Sequence, residues 1–321
     1  MHSAMKFLGN ALPRPSRIAA CLLIGLAAAG SVLAQGIAPP ARMGIEVVVL
    51  GSGGPRADGR AQSAYALLLD GKPRALVETG PGALVRAGEM NINQNDIDLV
   101  FFTHFHIDHV ADFPAIVKYR TALLRTETTV FNVFGPVGNP GYPGASQFID
   151  KLFGAGGVFE YQPTFATPEK FVVKDLPAGL AAGLTEIHSA DGLRVFSIGT
   201  NHGPAASVAY RFEYRGRSVV FSGDTGESAA ENLVTLAKGA DLLVYNCVIL
   251  DGAGARLLTL HTRPRVIGEI AQRAGVKQLL LSHIQPNVDK AKDEVLRSVS
   301  EGYAGPVSLA QDKLRYNFSE R

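Results

Sequence analysis

Three histidines and an aspartate fall within six positions in the stretch "FFTHFHIDHVAD", residues 101–112: His104, His106, Asp108 and His109. The whole chain holds eight histidines, so this clustering asks for a chemical reason. Neutral imidazole nitrogen and carboxylate oxygen are the donors that zinc and similar divalent ions take, and a site that keeps one position open for water is catalytic. His104 and His106, two apart where an apolar run ends, can point the same way, while Asp108 and His109 open the helix that follows. That turn can feed two metals. A lone histidine would read as a solvated polar residue, but the spacing H-x-H-x-D-H does not.

A closed donor set needs partners from elsewhere. "SIGTNHGP" presents His202, "VVFSGDTG" presents Asp224 and "LLLSHIQP" presents His283. Each follows an apolar run, so the three can emerge from one edge of a sheet. The elements that must position them are strand-like runs rich in branched apolar residues: 45–50, 63–69, 74–78, 97–103, 193–198, 207–214, 218–223, 242–246 and 278–283. Helical periodicity follows several of them, over 110–124, 228–238, 264–274 and 290–303. Strands followed by helices, with a hairpin in "YRFEYRGRSVVF" turning at Gly216, predict an α/β fold. "FGPVGNPGYPGAS", 134–146, reads as a surface loop rich in Gly and Pro, either a wall of the site or a plain connector.

The chain has 321 residues, 46% of them hydrophobic and 19% charged, the composition of an ordinary globular protein. Its start differs: Lys6, Arg14 and Arg17 precede the apolar run "IAACLLIGLAAAGSVL", with Val32 and Ala34 just before Gln35. This pattern predicts a signal peptide over 1–34, a linker over 35–42 and one domain over 43–321, in a secreted or periplasmic protein with no membrane attachment after cleavage. The run is short and rich in Ala and Gly for a transmembrane anchor, and Cys21 precedes most of it, which argues against a lipoprotein site. The first 34 residues carry three of the 31 Lys and Arg and none of the 29 Asp and Glu, leaving 28 basic against 29 acidic. Without a basic excess no nucleic-acid partner is expected. Beyond residue 34 only Cys247 remains, so no internal disulfide can form.

These residues resemble the metallo-β-lactamase fold superfamily of dinuclear metallohydrolases. "THFHIDH" is similar to its central motif, and a later His, "SGDT" and "LSH" follow in the family's order, while "VVVLGSGGP" and "LVETGPG" look like its opening motifs. The resemblance covers nearly all of the chain after the leader and implies a four-layer αβ/βα sandwich with metals at one sheet edge. It implies that His104, His106 and His202 hold one zinc, that Asp108, His109 and His283 hold a second, and that Asp224 bridges the two Zn2+. Asp108 and His261 are the catalytic residues it implies, His261 lying in "LTLHTRP" where relatives place a histidine facing the substrate oxygens. Glu78, in place of an aspartate in the "D-x-G-P-G" pattern, would orient a ligand histidine or simply be a partly buried glutamate.

Asp224 is absent as a bridge from true β-lactamases of this fold, which disfavours antibiotic hydrolysis. "GSGGPRADGR", "FGPVG" and "LHTRPRVIGEIAQRAGVKQLLLSHIQP" look most like the branch of tRNA 3′-processing endonucleases (ribonuclease Z) and arylsulfatases. Export, neutral charge and "VYNCVIL" in place of the nucleases' His-Glu-Ala-Thr favour a substrate other than tRNA, and Asp112 looks more like the arylsulfatase-type relatives or is a helix-surface residue. A hydroxide between two cations is a nucleophile near neutral pH, and the cations neutralise charge on a phosphoryl, sulfuryl or carbonyl oxygen. The expected activity is therefore hydrolysis of a small-molecule ester, a phosphodiester first and a sulfate ester or lactone second. A non-catalytic secreted metal-binding protein and an iron oxidoreductase are the readings set against it, and a homodimer is admitted. "LGSGGPR" is no nucleotide loop, because Arg56 stands where a third glycine belongs; it reads as a loop beside the metals. His188 and Cys247 are taken as structural.

Overall fold

The computed structural model describes residues 43–56, 59–122, 129–162 and 169–319. The expected signal peptide and linker lie outside the described residues, and among those no helix is long and apolar enough to cross a membrane. The first sheet contains β1 (Gly44–Gly51), β2 (Ala64–Leu69), β3 (Lys72–Thr79), β4 (Leu99–Phe101), β5 (Thr129–Pro136) and β6 (Glu169–Leu176) in sequential order, with β14 (Arg315–Ser319) beside β1. β14, β1, β2 and β3 pair antiparallel, whereas β3 to β6 pair parallel. The second sheet repeats this plan. β7 (Thr185–Ala190), β8 (Leu193–Gly199), β9 (Val208–Tyr214) and β10 (Arg217–Phe221) are antiparallel, and β11 (Leu242–Asn246), β12 (Leu279–Ser282) and β13 (Val307–Leu309) continue parallel.

Alternation along the strands sorts the core into three layers. On β1, Ile45, Val47 and Val49 join Phe101, Phe134, Tyr210, Phe212 and Phe221 between the sheets, while Val48 and Leu50 face the other way, toward α1 (Ala83–Glu89), α3 (Phe113–Ala122) and α4 (Ala145–Phe153). The second sheet packs its outer face on α5 (Ala230–Leu236), α7 (Pro264–Ala274) and α9 (Lys292–Gly302). The result is the expected αβ/βα sandwich. Phe101 stacks on Phe134 at 4.6 Å between centroids and meets Phe212 edge-on at 4.9 Å, so aromatic pairs tie the two sheets together.

Local chemistry sets the boundaries. α7 spans the predicted 264–274 because Pro264 opens it and Gly275, with φ of 65°, closes it. The β9–β10 hairpin turns on Arg215 and Gly216, both at positive φ. The helix predicted over 110–124 breaks in two, the short α2 (Ile107–Val110) and α3. The predicted loop over 134–146 is shorter, since Phe134–Pro136 end β5 and Ala145 begins α4.

Candidate metal centre

Because β8 and β10 are both antiparallel to β9, and β10, β11 and β12 are parallel, the ends of β8, β10 and β12 share one edge. Those ends deliver His202, Asp224 and His283. The turn after β4 delivers the rest: His106 stands just before α2, and Asp108 and His109 lie within it. His104 Nε2 lies 3.0 Å from His106 Nδ1, and His202 Nε2 lies 3.2 Å from that same atom. On the other side His109 Nε2 and Asp108 Oδ2 are each 3.1 Å from His283 Nε2. Asp224 sits between the two groups, its Oδ2 3.6 Å from His202 Nε2 and 3.7 Å from His109 Nε2, its Oδ1 3.6 Å from His283 Nε2. All seven residues predicted as metal ligands therefore converge. Within each of the two sets, His104, His106, His202 and Asp108, His109, His283, the donor atoms lie within 4.8 Å of one another.

Convergent ring nitrogens cannot all satisfy one another by hydrogen bonding, because each donated proton needs a lone pair opposite; a cation accepts every lone pair at once. Burial pushes the His104 imidazole well below its ordinary range, with His109 and His202 adding to the effect, so its ring is neutral and its lone pair free. Burial works against the Asp224 carboxylate, yet His283 and His109 hold it well below the usual carboxylate range. Burial likewise opposes a charge on His109, and Glu78 and Asp224 reverse that, raising it well above the ordinary value. The neutral His104 imidazole beside the ionised Asp224 carboxylate is the kind of donor pair a divalent metal takes, and His109, held protonated by Glu78 and Asp224, has only to give up its proton to join them, so the residues present fit one.

Buried polar groups hold these donors in place. Glu78, 2% exposed and at φ of 61°, accepts the Thr103 hydroxyl and, at 2.9 Å, the Thr103 N–H. Thr103 Oγ1 in turn lies 3.1 Å from His104 Nδ1, and His109 Nδ1 lies 3.5 Å from the same Glu78 oxygen. Glu78 is thus fully buried, facing His109 directly and reaching His104 through the Thr103 hydroxyl. His202 Nδ1 donates to the Leu260 carbonyl at 2.8 Å, which leaves Nε2 with its lone pair toward the centre. Gly223, at φ of 60°, lets the Asp224 turn close on Thr103; a Cβ there would stand 2.5 Å from Thr103 Oγ1.

Asn246 carries no signal in the sequence, yet its Nδ2 donates to Asp224 Oδ1 at 2.7 Å in a buried contact. Asp112 braces the site from below: its carboxylate accepts the Gly82 and Leu84 N–H groups at the start of α1, and its own N–H donates to the Thr79 carbonyl. The "LGSGGPR" loop does lie beside the centre, with Gly53 bridged to Ile284 and the Ile284 N–H donating to Ser52. His261 stands next to the first set, its Nδ1 4.0 Å from Asp224 Oδ2 and within 4.8 Å of the donor atom of His202. Burial pushes its imidazole down to about 4. His188 lies on β7 against Phe134, outside the cluster, and Cys247 is buried between the second sheet and its helices.

Residues 74–284 match the family described as the beta-lactamase superfamily domain. A protein named ribonuclease Z from Mycolicibacterium gilvum is 28% identical over 270 residues, covering 80% of this chain and 90% of its own length. Among solved structures, the short form of human tRNase Z aligns with a TM-score of 0.66 at 19% identity, over 86% of this chain and 99% of its own. Zn2+-bound PqqB from Methylobacterium extorquens aligns at 0.61 and 17%, over 85% of this chain and 100% of its own. Fold, donor geometry and family match agree: the chain belongs to the beta-lactamase superfamily domain family and is a metal-dependent hydrolase.

Proposed function

We propose that the protein is an exported dinuclear zinc enzyme that hydrolyses an ester, first of all a phosphodiester. The observation that carries this reading is the pair of three-residue donor sets with Asp224 within 4 Å of both. In it His104, His106 and His202 hold one Zn2+, Asp108, His109 and His283 the other, and Asp224 reaches across. Bound there, two cations supply a water that is nucleophilic at neutral pH and neutralise charge on the ester oxygens. The phosphodiester preference draws support from relatives named ribonuclease Z.

The chain's own residues do the rest. Glu78 and Thr103 fix the rings of His104 and His109, and the Leu260 carbonyl fixes that of His202. Asn246 holds Asp224 in one orientation. Asp108 is both a ligand and, beside the open face, a catalytic carboxylate. His261, neutral at physiological pH because burial depresses it, donates a hydrogen bond to the oxygen on which charge develops. This favours the charge-stabilising role of His261 over that of a protonated acid. The balance of 28 basic against 29 acidic residues after residue 34 supports a small-molecule ester over tRNA.

Metal analysis of zinc-replete protein, with turnover of bis(p-nitrophenyl) phosphate, tests the reading. Two zinc ions per chain and measurable hydrolysis are expected, and Asp224→Ala should lose both ions together. A stoichiometry of one or less, or metal-loaded protein that cleaves no phosphate, sulfate or carboxylic ester, would sink it.

A further inference from the structure

The loop between β5 and α4 lies against the metal centre. Residues 139–142, Asn-Pro-Gly-Tyr, form a closed turn: the Asn139 N–H donates to the Tyr142 carbonyl at 3.0 Å and the Tyr142 N–H to the Asn139 carbonyl at 3.1 Å. Proline in the second place and Gly141 at φ of 102° in the third are the requirements of a type II turn. At the base of the loop Gly138 and Gly144 approach so closely that a Cβ on either would strike the other's backbone nitrogen. The Asn139 side chain then pins the turn to the Pro204 carbonyl at 2.8 Å, two residues beyond His202. Through this rigid turn the ring of Tyr142 is held 5.8 Å from that of His106.

Tyr142 is half-buried, and Ile107, between His106 and Asp108, is 77% exposed, the most exposed large apolar side chain among the described residues. An isoleucine so exposed between two ligand residues makes no contribution to the core. On the far side of His202, "LLTL" (257–260) closes the rim, the Gly203 N–H donating to the Thr259 carbonyl. The three segments around this half of the centre, "VGNPGYPG", "GPAAS" and "LLTL", contain no charged residue. A polyanion would need cations there, whereas an uncharged rim with a fixed aromatic ring suits a flat apolar group.

We propose that Tyr142, with Ile107, forms a subsite for an aromatic ring attached to the ester, so that the enzyme selects aryl esters over alkyl esters. This rests on the reading of the centre as an ester hydrolase. Tyr142 is here a specificity-determining residue that touches substrate and leaves the metals alone.

Calorimetric titration of the zinc-loaded protein with phenylphosphonate and methylphosphonate tests the subsite without turnover. The phenyl ligand should bind about tenfold more tightly, the scale of one ring–ring contact. In Tyr142→Ala the ratio should fall to within about twofold at unchanged zinc content, and Tyr142→Phe should keep it. Ile107→Ser, at an exposed position that folding does not need, should lower the ratio too. Equal affinities in the wild type, or an equal weakening of both ligands in Tyr142→Ala, would overturn the subsite, the second outcome showing that Tyr142 acts through His106. Tighter binding of uridine 3′-monophosphate than of phenylphosphonate would overturn it in favour of a nucleotide site. If neither phosphonate binds and no ester is cleaved, the hydrolase reading falls and takes the subsite with it; if esters are cleaved without discrimination, only the subsite falls.

Discussion

His261 and Asn246 approach different oxygens of Asp224 and show two ways a residue can serve a metal centre. His261 is expected to act on substrate. His261→Ala should therefore keep its metal and lose about 10²- to 10³-fold in kcat, the scale of removing one donor to a developing oxyanion; departure of a metal ion would instead make it a ligand. Asn246 is expected to act on the metal through Asp224 Oδ1. Asn246→Leu, of similar volume, should weaken zinc affinity by about 10- to 100-fold while the metal-free protein melts within a few degrees of the wild type. That His104, His106, Asp108 and His109 would gather in one turn was legible in the sequence because histidine is scarce and H-x-H-x-D-H has few other uses, and the convergence of His202, Asp224 and His283 on them followed from their places at strand ends. Asn246 was not, because an amide at the end of an apolar strand looks like any strand terminus until the neighbouring strand brings a carboxylate to it. Thr103 was hidden in the same way, as a β-branched residue where β-branched residues are common.

Strands with continuous apolar runs could be read in advance because both their faces are buried, as in "IEVVVL", whose residues are buried throughout β1. Those at the margins could not. β6, β7 and β14 alternate with charged and polar residues or carry a single buried apolar side chain, since as outer strands they have little to cover. α4 begins at Ala145 behind Gly144, whose place before the helix holds no serine or aspartate side chain to announce it. One connection between elements also escaped notice: Asp70, in the β2–β3 turn, accepts the Gly44 N–H, the Tyr214 hydroxyl and the Arg215 guanidinium, joining the two sheets at their ends. Burial raises the Asp70 carboxyl, but the Arg215, Gly44 and Tyr214 bonds outweigh it and leave it below its ordinary value. A depressed carboxylate stabilises the fold fully above its unfolded pKa and loses that contribution as pH falls toward the folded one. Asp70→Asn should thus cost about 1 kcal/mol at neutral pH, and the gap to wild type in denaturant midpoints should narrow below about pH 4. A gap that stays constant into acid would assign the cost to packing.

On the scale of the whole molecule, the two sheets are joined by an apolar interior and capped at one edge by a cluster of buried histidines and carboxylates. Metal that binds only this assembled state must stabilise it. Removal of metal by a chelator should lower the melting temperature by at least about 5 °C, since occupancy at a hundred times the dissociation constant contributes about 2.7 kcal/mol. An unchanged melting temperature would mean that the folded protein binds no ion tightly. Burial pushes the Cys247 thiol up to about 12, so a thiol reagent should reach it only on unfolding and can report the same transition.

The two donor sets proposed to hold zinc each take two residues from the turn after β4 and the third from the second sheet, His202 for one and His283 for the other. Neither of these two sets is complete in a stretch of chain that stops short of His202, and the last donor arrives only in the final part of the sequence. Capture of an ion by either of these sets therefore cannot run ahead of synthesis. An ion cannot seat itself on a half-made chain and lock it in a partial shape; it can only certify, after both halves have met, that the molecule is whole.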